Sequence, residues 1–411
     1  MWFACALLTA LATPASSLVL PVPLAATPVP LAAAPFTAAP PLTAVPSLPA
    51  LCGLAPARLA KVLASTSLSR RADEGRRART VWTALRKGYD PLLDDEAGVT
   101  LRTSAMLREL FGERDLRRPT IAKVSRTPTA IKLLIDLHDG RSVETVLLKS
   151  KAASSVCVSS QVGCKQACRF CATGAMGEIR SLAAHEIVEQ VRLASEVARL
   201  EGWVDIKNIV FMGMGEPLNN VAQVRLAIDL LTDAEALGFS RRAVTISTVA
   251  PSSEAVLDMA SLSSKMAFSL HSAVDETRKL LVPTMRCTVA DLQTAWLSAL
   301  ASRPERYREL IVEMTLINGV NDTPSELAAL ATWLQVFPAG AILVNLIPMN
   351  ASPAAPPNWR ASSLENARAF QRGLWTHSIR STIRDQKGDR EQAACGQLAT
   401  NDSRRSASLR P

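Results

Sequence analysis

Between residues 206 and 383, apolar strand-like runs alternate with amphipathic helical patterns, and no other feature restricts the fold so strongly. Strands are expected at 206–212, 243–249, 265–270, 310–316, 341–347 and 377–383. Helices are expected at 183–199, 221–237, 289–300, 325–336 and 362–374. Strands that are apolar on both faces need helices to cover them. The pattern therefore implies parallel βα units, an α/β fold whose sheet curls into a full or partial barrel. Polar residues at the carboxyl ends of such strands share one rim, where ligands are held.

Upstream of the alternation, 54–68, 79–86 and 104–111 read as short helices, and 130–137 with 143–148 as strands about a turn at His138, Asp139 and Gly140. The expected organisation is a disordered targeting leader over 1–57, a helical accessory domain over 58–120 and a linking β extension over 121–154. The barrel then covers 155–386, and a C-terminal segment covers 387–411. No Asp, Glu, Lys or Arg occurs before Arg58, and prolines cut each apolar run of the leader below the roughly 20 residues that span a bilayer. Stable membrane association is not expected. A signal-like start, an acid-free Ala/Pro tract and then Arg58, Lys61, Arg70 and Arg71 are compatible with plastid import. Mitochondrial import is the main rival, and a cytoplasmic location follows if the tract is not an address. The net charge of +9 suits an anionic partner without specifying one.

Three of the eight cysteines form a C-x3-C-x2-C triplet, Cys164, Cys168 and Cys171. Three thiolates in one loop do not complete a tetrahedral zinc site, although a remote ligand such as His185 is conceivable. They can hold three irons of a 4Fe-4S cluster and leave the fourth open to another molecule. The first long strand ends in Gly213-Met-Gly215-Glu216, where the glycines let backbone approach a ligand and Glu216 offers a carboxylate to an ammonium group. Later strands end at Ser247, at Ser269 with His271, and at Asn345, which supply hydroxyls, an imidazole and an amide around one pocket.

The triplet spacing matches the radical S-adenosylmethionine (SAM) superfamily. With Cys157-Val-Ser-Ser-Gln-Val-Gly-Cys164, Gly213-Met-Gly-Glu-Pro-Leu218, Ser269-Leu270-His271, Gly319-Val-Asn-Asp322, Val344-Asn-Leu-Ile-Pro348 and Ala393-Ala-Cys-Gly-Gln-Leu398, the chain resembles the dual-specificity RNA adenine carbon-2 methyltransferases. That resemblance implies a partial (β/α)6 radical SAM barrel with a small N-terminal helical domain. It implies SAM contacts at Gly215, Glu216, Ser247, Ser269, Leu270, His271 and Asn345, and two SAM molecules per turnover. By resemblance, Cys395 takes a methyl group from the first SAM. The cluster reduces the second, whose 5′-deoxyadenosyl radical removes a hydrogen from that methyl, and the carbon radical adds to adenine. Cys157 then releases the product by forming a disulfide with Cys395, and Glu144 matches the family's proton acceptor. A cysteine suits both roles because its thiolate is nucleophilic and its C–S bond can later be broken. The sequence departs from the family at Ser272-Ala-Val274, Met349-Asn350-Ala351 and Lys387-Gly-Asp-Arg-Glu-Gln392.

The resemblance implies large-subunit rRNA and tRNA as the two substrate classes, with a flavodoxin or ferredoxin as electron donor, acting on a monomer. Reduced thiols and an oxygen-sensitive cluster require a reducing interior. Arg58, Lys61, Arg70, Arg71, Arg76, Arg77, Arg79 and Lys87, with Arg114, Arg117 and Arg118, form the candidate RNA surface. A solvated basic face reads the same way. Three alternatives stay open: methylation at adenine carbon 8, a non-catalytic iron-sulfur RNA-binding protein, and a structural zinc protein.

Overall fold

The computed structural model describes residues 50–70, 73–92, 94–112, 119–150, 153–262, 264–384 and 396–398. Cys5, Cys395, Arg71, Arg114, Arg117, Arg118 and the loop 387–394 lie outside the described residues.

Helices α1 (Pro56–Leu63), α2 (Glu74–Arg86) and α3 (Leu101–Phe111) make the accessory unit. Trp82 is fully buried there, and its indole N–H donates to Leu54 O at 3.1 Å. The expected leader boundary at residue 57 needs correction. Leu51, Cys52 and Leu54 are wholly buried in the main core, so the folded chain already includes them. A run without charges reads as leader, but it is also what a buried segment looks like.

Strands β1 (Thr120–Arg126), β2 (Ala130–Asp136), β3 (Ser142–Leu148) and β4 (Ser154–Cys157) form an antiparallel meander. A hairpin of β5 (Gln161–Cys164) and β6 (Gly177–Ser181) follows, with the one-turn helix α4 (Ala172–Ala175) between its strands. Next come α5 (Ala184–Leu200), β7 (Ile206–Phe211), α6 (Val221–Thr232), β8 (Val244–Thr248), α7 (Ser253–Ala260) and β9 (Lys265–Ser269). The chain continues through α8 (Asp275–Leu281), α9 (Val289–Ala301), β10 (Leu310–Leu316), α10 (Pro324–Leu334), β11 (Ile342–Pro348), α11 (Leu364–Thr376) and β12 (Ser381–Ile383).

β4 pairs parallel with β7, which joins the meander to the parallel strands in one ten-stranded sheet of order β1-β2-β3-β4-β7-β8-β9-β10-β11-β12. β1 and β12 remain edges, so the barrel is partial. The helix layer covers the outer face, where Phe268 packs against Trp296 and Trp333 with ring centroids 5.3 and 6.0 Å apart. Helix starts are locally encoded. Thr288 accepts from Asp291 N–H at 3.1 Å, and the Asp291 carboxylate accepts from Thr288 N–H at 3.0 Å, a capping box at α9. Among the described residues no helix is long and apolar enough to cross a membrane.

Register carries one face across the sheet. Lys132 opposes Val146, Val146 opposes Cys157, Cys157 opposes Val210, and Val210 opposes Thr245. Ser269, Glu313, Asn345 and Thr382 oppose one another in turn on the later strands. Because side chains alternate with a period of two, Glu144 and Ser247 share this inner face, whereas Phe268 and Leu270 face the helices.

Candidate active site

The loop between β5 and β6 carries the cysteine triplet. Cys164 ends β5, and Cys171 stands at the N-terminus of α4. Cys171 N–H donates to Cys168 O at 3.0 Å, and Arg169 N–H donates to Leu281 O at 3.0 Å. The last described residues close over the loop: Ala172 N–H donates to Gly396 O at 2.7 Å, and Gln397 Nε2 donates to Ala351 O at 2.9 Å. Gly396 directly follows Cys395 in the chain.

All three triplet cysteines line one open cavity. Gly213, Gly215, Glu216, Ser247, Ser269 and His271 line it too. The glycines are required by close approach. A Cβ on Gly213 would sit 2.7 Å from Val158 O, and one on Gly215, at φ +100°, would sit 2.6 Å from the Gln161 side chain.

The Glu216 carboxylate is committed to its own loop and to the end of β8. It accepts from Leu218 N–H at 3.0 Å, Thr248 Oγ1 at 2.7 Å and Val249 N–H at 3.0 Å, leaving one acceptor direction for a ligand. Burial outweighs these bonds and raises its pKa. His271 sits at φ +62°, a conformation rare for a side-chain-bearing residue. Asn321 explains it, by donating to His271 O at 2.6 Å and Thr315 O at 2.7 Å and accepting from Ile317 N–H at 2.7 Å. Burial, then the charge of Arg278, takes the His271 imidazole down to about 3, so it is neutral. Its Nδ1 accepts from Thr315 N–H at 3.1 Å, which puts the ring proton on Nε2.

Two expected contacts do not line the cavity. Leu270 is fully buried on the helix side, its N–H donates to Phe268 O at 2.9 Å and its carbonyl accepts from Arg278. Asn345 shares the inner face and opposes Glu313, but its Oδ1 accepts from Thr382 Oγ1 at 2.8 Å. Asn350 lines the cavity instead, five residues on in the chain. Strand periodicity located the strand end, but the following turn brings the amide to the rim.

Glu313 was missed. This buried carboxylate lines the cavity; its Oε2 accepts from Ser247 Oγ at 2.9 Å, and Oε1 accepts no hydrogen bond, with Arg384 3.8 Å away. A single acid inside the apolar run Leu310–Leu316 was the available signal. Cys157 and Glu144 lie on the inner face but outside the cavity lining. Both are buried, and Glu144 Oε1 is 3.0 Å from Lys132 Nζ, a partner that the sequence did not reveal. No disulfide occurs among the described residues.

The donor set fits an iron-sulfur cluster. Burial, opposed by a hydrogen bond from the Gln166 backbone and reinforced by neighbouring acids and Cys171, pushes the Cys164 thiol up to about 12. Burial and then its two partner thiols raise Cys168 as well. The two buried thiols, Cys164 and Cys168, ionise only against strong positive charge, which metal supplies. No three Cys, His, Asp or Glu side chains among the described residues converge on a single ion. Three cysteines lining one cavity can each hold one iron of a cluster.

Residues 158–331 match the radical SAM superfamily. The dual-specificity RNA methyltransferase RlmN 1 of Myxococcus xanthus is 36% identical over 331 residues, which cover 79% of this chain and 89% of that protein. The dual-specificity RNA methyltransferase RlmN of Phenylobacterium zucineum is 35% identical over 388 residues, covering 90% and 96%. A crystal structure of a radical SAM methyltransferase from Sphaerobacter thermophilus superposes with a TM-score of 0.74 at 34% identity, covering 85% of this chain and 98% of that one.

Proposed function

We propose that this chain, which belongs to the RlmN family of radical SAM RNA methyltransferases, methylates carbon 2 of adenine in large-subunit rRNA and tRNA. It is an enzyme, and its family implies a 4Fe-4S cluster and SAM. The observation that carries the reading is the cavity shared by Cys164, Cys168, Cys171, Glu216, Ser247, Ser269 and His271.

The Cys395 thiolate takes a methyl group from a first SAM and holds it as a thioether. The cluster and a second SAM, when bound, supply the hydrogen-abstracting power that an unactivated methyl requires. Once that carbon is joined to adenine, the Cys157 thiolate attacks the Cys395 sulfur. The adduct gives back the one electron that started the cycle. An S–S bond then forms as the S–C bond breaks, and the electron pair of that bond stays on the departing carbon, which takes up a proton to complete the methyl group. An external thiol reductant restores both cysteines. The Glu144 carboxylate, oriented by Lys132, takes the proton from ring carbon 2. In this reading the residues before Ala50 act as a plastid address, ferredoxin is the donor, and the chain works as a monomer.

Nucleoside mass spectrometry of RNA treated with anaerobically reconstituted enzyme decides the product. We expect 2-methyladenosine. 8-Methyladenosine would support the carbon-8 alternative, and RNA binding without 5′-deoxyadenosine would support the non-catalytic one. Cys395→Ala abolishes methyl loading in this reading, whereas Cys157→Ala accumulates protein linked to RNA. A fluorescent fusion of residues 1–49 tests the plastid address.

A further inference from the structure

Arg278, on α8, has no solvent exposure. Its Nη1 donates to Ser269 O at 3.1 Å and to Leu270 O, and its Nη2 donates to Val249 O. Its Nε has no hydrogen-bond partner, and among the described residues no carboxylate lies within ion-pair distance of it, although Asp275, three residues earlier on α8, acts on it electrostatically. The Phe268 ring stacks near it, 5.1 Å from the guanidinium carbon. Burying a guanidinium without an anion is costly, and carbonyl dipoles with one ring face offset only part of that cost.

The first anionic influence on it comes from the cluster loop, ahead of Asp275 and Cys287. α8 ends against it: Leu281 O accepts from Arg169 N–H, and Leu281 and Val282 pack with Cys168. Arg278 and Cys168 act on each other electrostatically. Burial takes Arg278 down to about 10, and Cys168 is the first influence opposing that fall. No other charged side chain in the described rim combines full burial, lack of a carboxylate partner and proximity to a cluster cysteine.

We propose that Arg278 is a positioning residue whose buried positive charge beside Cys168 favours the reduced form of the cluster and so raises its reduction potential. The inference rests on the reading that the cysteine triplet holds a 4Fe-4S cluster. One electron from a low-potential donor adds one negative charge to the thiolate-bound cluster. A fixed cation nearby stabilises that more negative state over the oxidised one. The same side chain ties the ends of β8 and β9, so its charge and its hydrogen bonds must be separated experimentally.

Full-length wild type, Arg278→Gln and Arg278→Lys are reconstituted anaerobically, assayed for iron and sulfide, and titrated with dithionite while the reduced cluster is followed by electron paramagnetic resonance. In Arg278→Gln the midpoint falls by at least the equivalent of a tenfold loss in the reduction equilibrium, 59 mV for a one-electron couple. Arg278→Lys keeps the wild-type midpoint. A fully loaded Arg278→Gln with the wild-type midpoint overturns the proposal, as does Arg278→Lys tracking Arg278→Gln in midpoint or cluster content. If Arg278→Gln takes up no cluster, Arg278→Lys decides. Full loading at the wild-type midpoint supports a role for charge, and failure to load assigns the residue to carbonyl binding alone. A wild type without iron and sulfide defeats the cluster reading instead.

Discussion

Glu313 shows how one residue can be wrong for its strand and right for its site. An acid in the middle of an apolar parallel strand is desolvated, and leaving one of its oxygens without a donor costs about 1–3 kcal/mol. The strand tolerates this because Glu313 faces the cavity, where a bound ligand can supply the donor. Glu313→Gln keeps the shape and loses the charge. We expect its SAM affinity, measured by equilibrium binding to reconstituted protein, to fall about tenfold, or about 1.4 kcal/mol. Unchanged affinity would remove Glu313 from the ligand site. His271 gives a second prediction at this scale. Below its ordinary value of 6.5 the unfolded chain binds a proton that the folded chain, with the imidazole down at about 3, does not. Stability is therefore full above pH 6.5 and declines as pH falls from 6.5 towards 3. By pH 5 the loss is about 1–2 kcal/mol. Comparing urea midpoints at pH 7.5 and 5 should show a smaller pH-dependent loss in His271→Gln than in wild type.

At the scale of elements, legibility depended on whether a segment's partners were near in sequence. β10 and α9 stood out because their apolar patterns are long and, for α9, capped at Thr288. β12 was expected from residue 377, yet α11 runs to Thr376 and Ser378 turns at φ +58°, so only Ser381–Ile383 pair. β1 was not foreseen, because Thr120–Arg126 is mostly exposed and becomes a strand only through pairing with β2. α7 and α8 are too short for helical periodicity to declare them. The site divides the same way: triplet spacing is local and readable, whereas Glu313, Asn350 and Lys132 reach their places through tertiary packing. One tertiary tie supports the cluster hairpin. Arg180 on β6 forks onto Glu186 of α5 with two bonds of 2.8 Å and donates to Asp139 at 2.6 Å. Burial would raise Glu186, but the bonds from Arg180 and the Ala183 N–H outweigh it and hold the carboxyl below its ordinary 4.5. This depressed pKa contributes stability above pH 4.5 that is lost as pH falls through the lower folded value. Arg180→Met should cost about 2–3 kcal/mol at pH 7, by urea unfolding, and should flatten the acid limb of the stability curve. A steeper acid limb would refute this account.

At the scale of the molecule, the charges of the accessory helices that are available to RNA are those that the protein has not already engaged. Arg86 is spent on the carbonyls of Ala234 and Ala236, Arg77 on Thr100 and Thr103, Arg76 on Asp73, and Arg79 stands 3.6 Å from Glu235. Exposed Arg58, Lys61, Arg70 and Lys87 make no ion pair among the described residues. They can therefore neutralise phosphates without first breaking a bond. Each phosphate contact releases condensed counterions, contributing about 0.7 to the salt slope for single-stranded RNA and about 0.9 for a duplex-like contact. Replacing all four by Gln should lower the magnitude of the slope of log K against log salt by about 3 if every one touches phosphate. Arg79→Gln, which removes a charge already facing Glu235, should change the slope by less than about 0.5 by the same counting. Filter binding to an rRNA fragment between about 50 and 200 mM salt separates the two variants. Equal slopes in both would mean that the accessory helices carry their charge for solvation, and that RNA is held elsewhere on the chain.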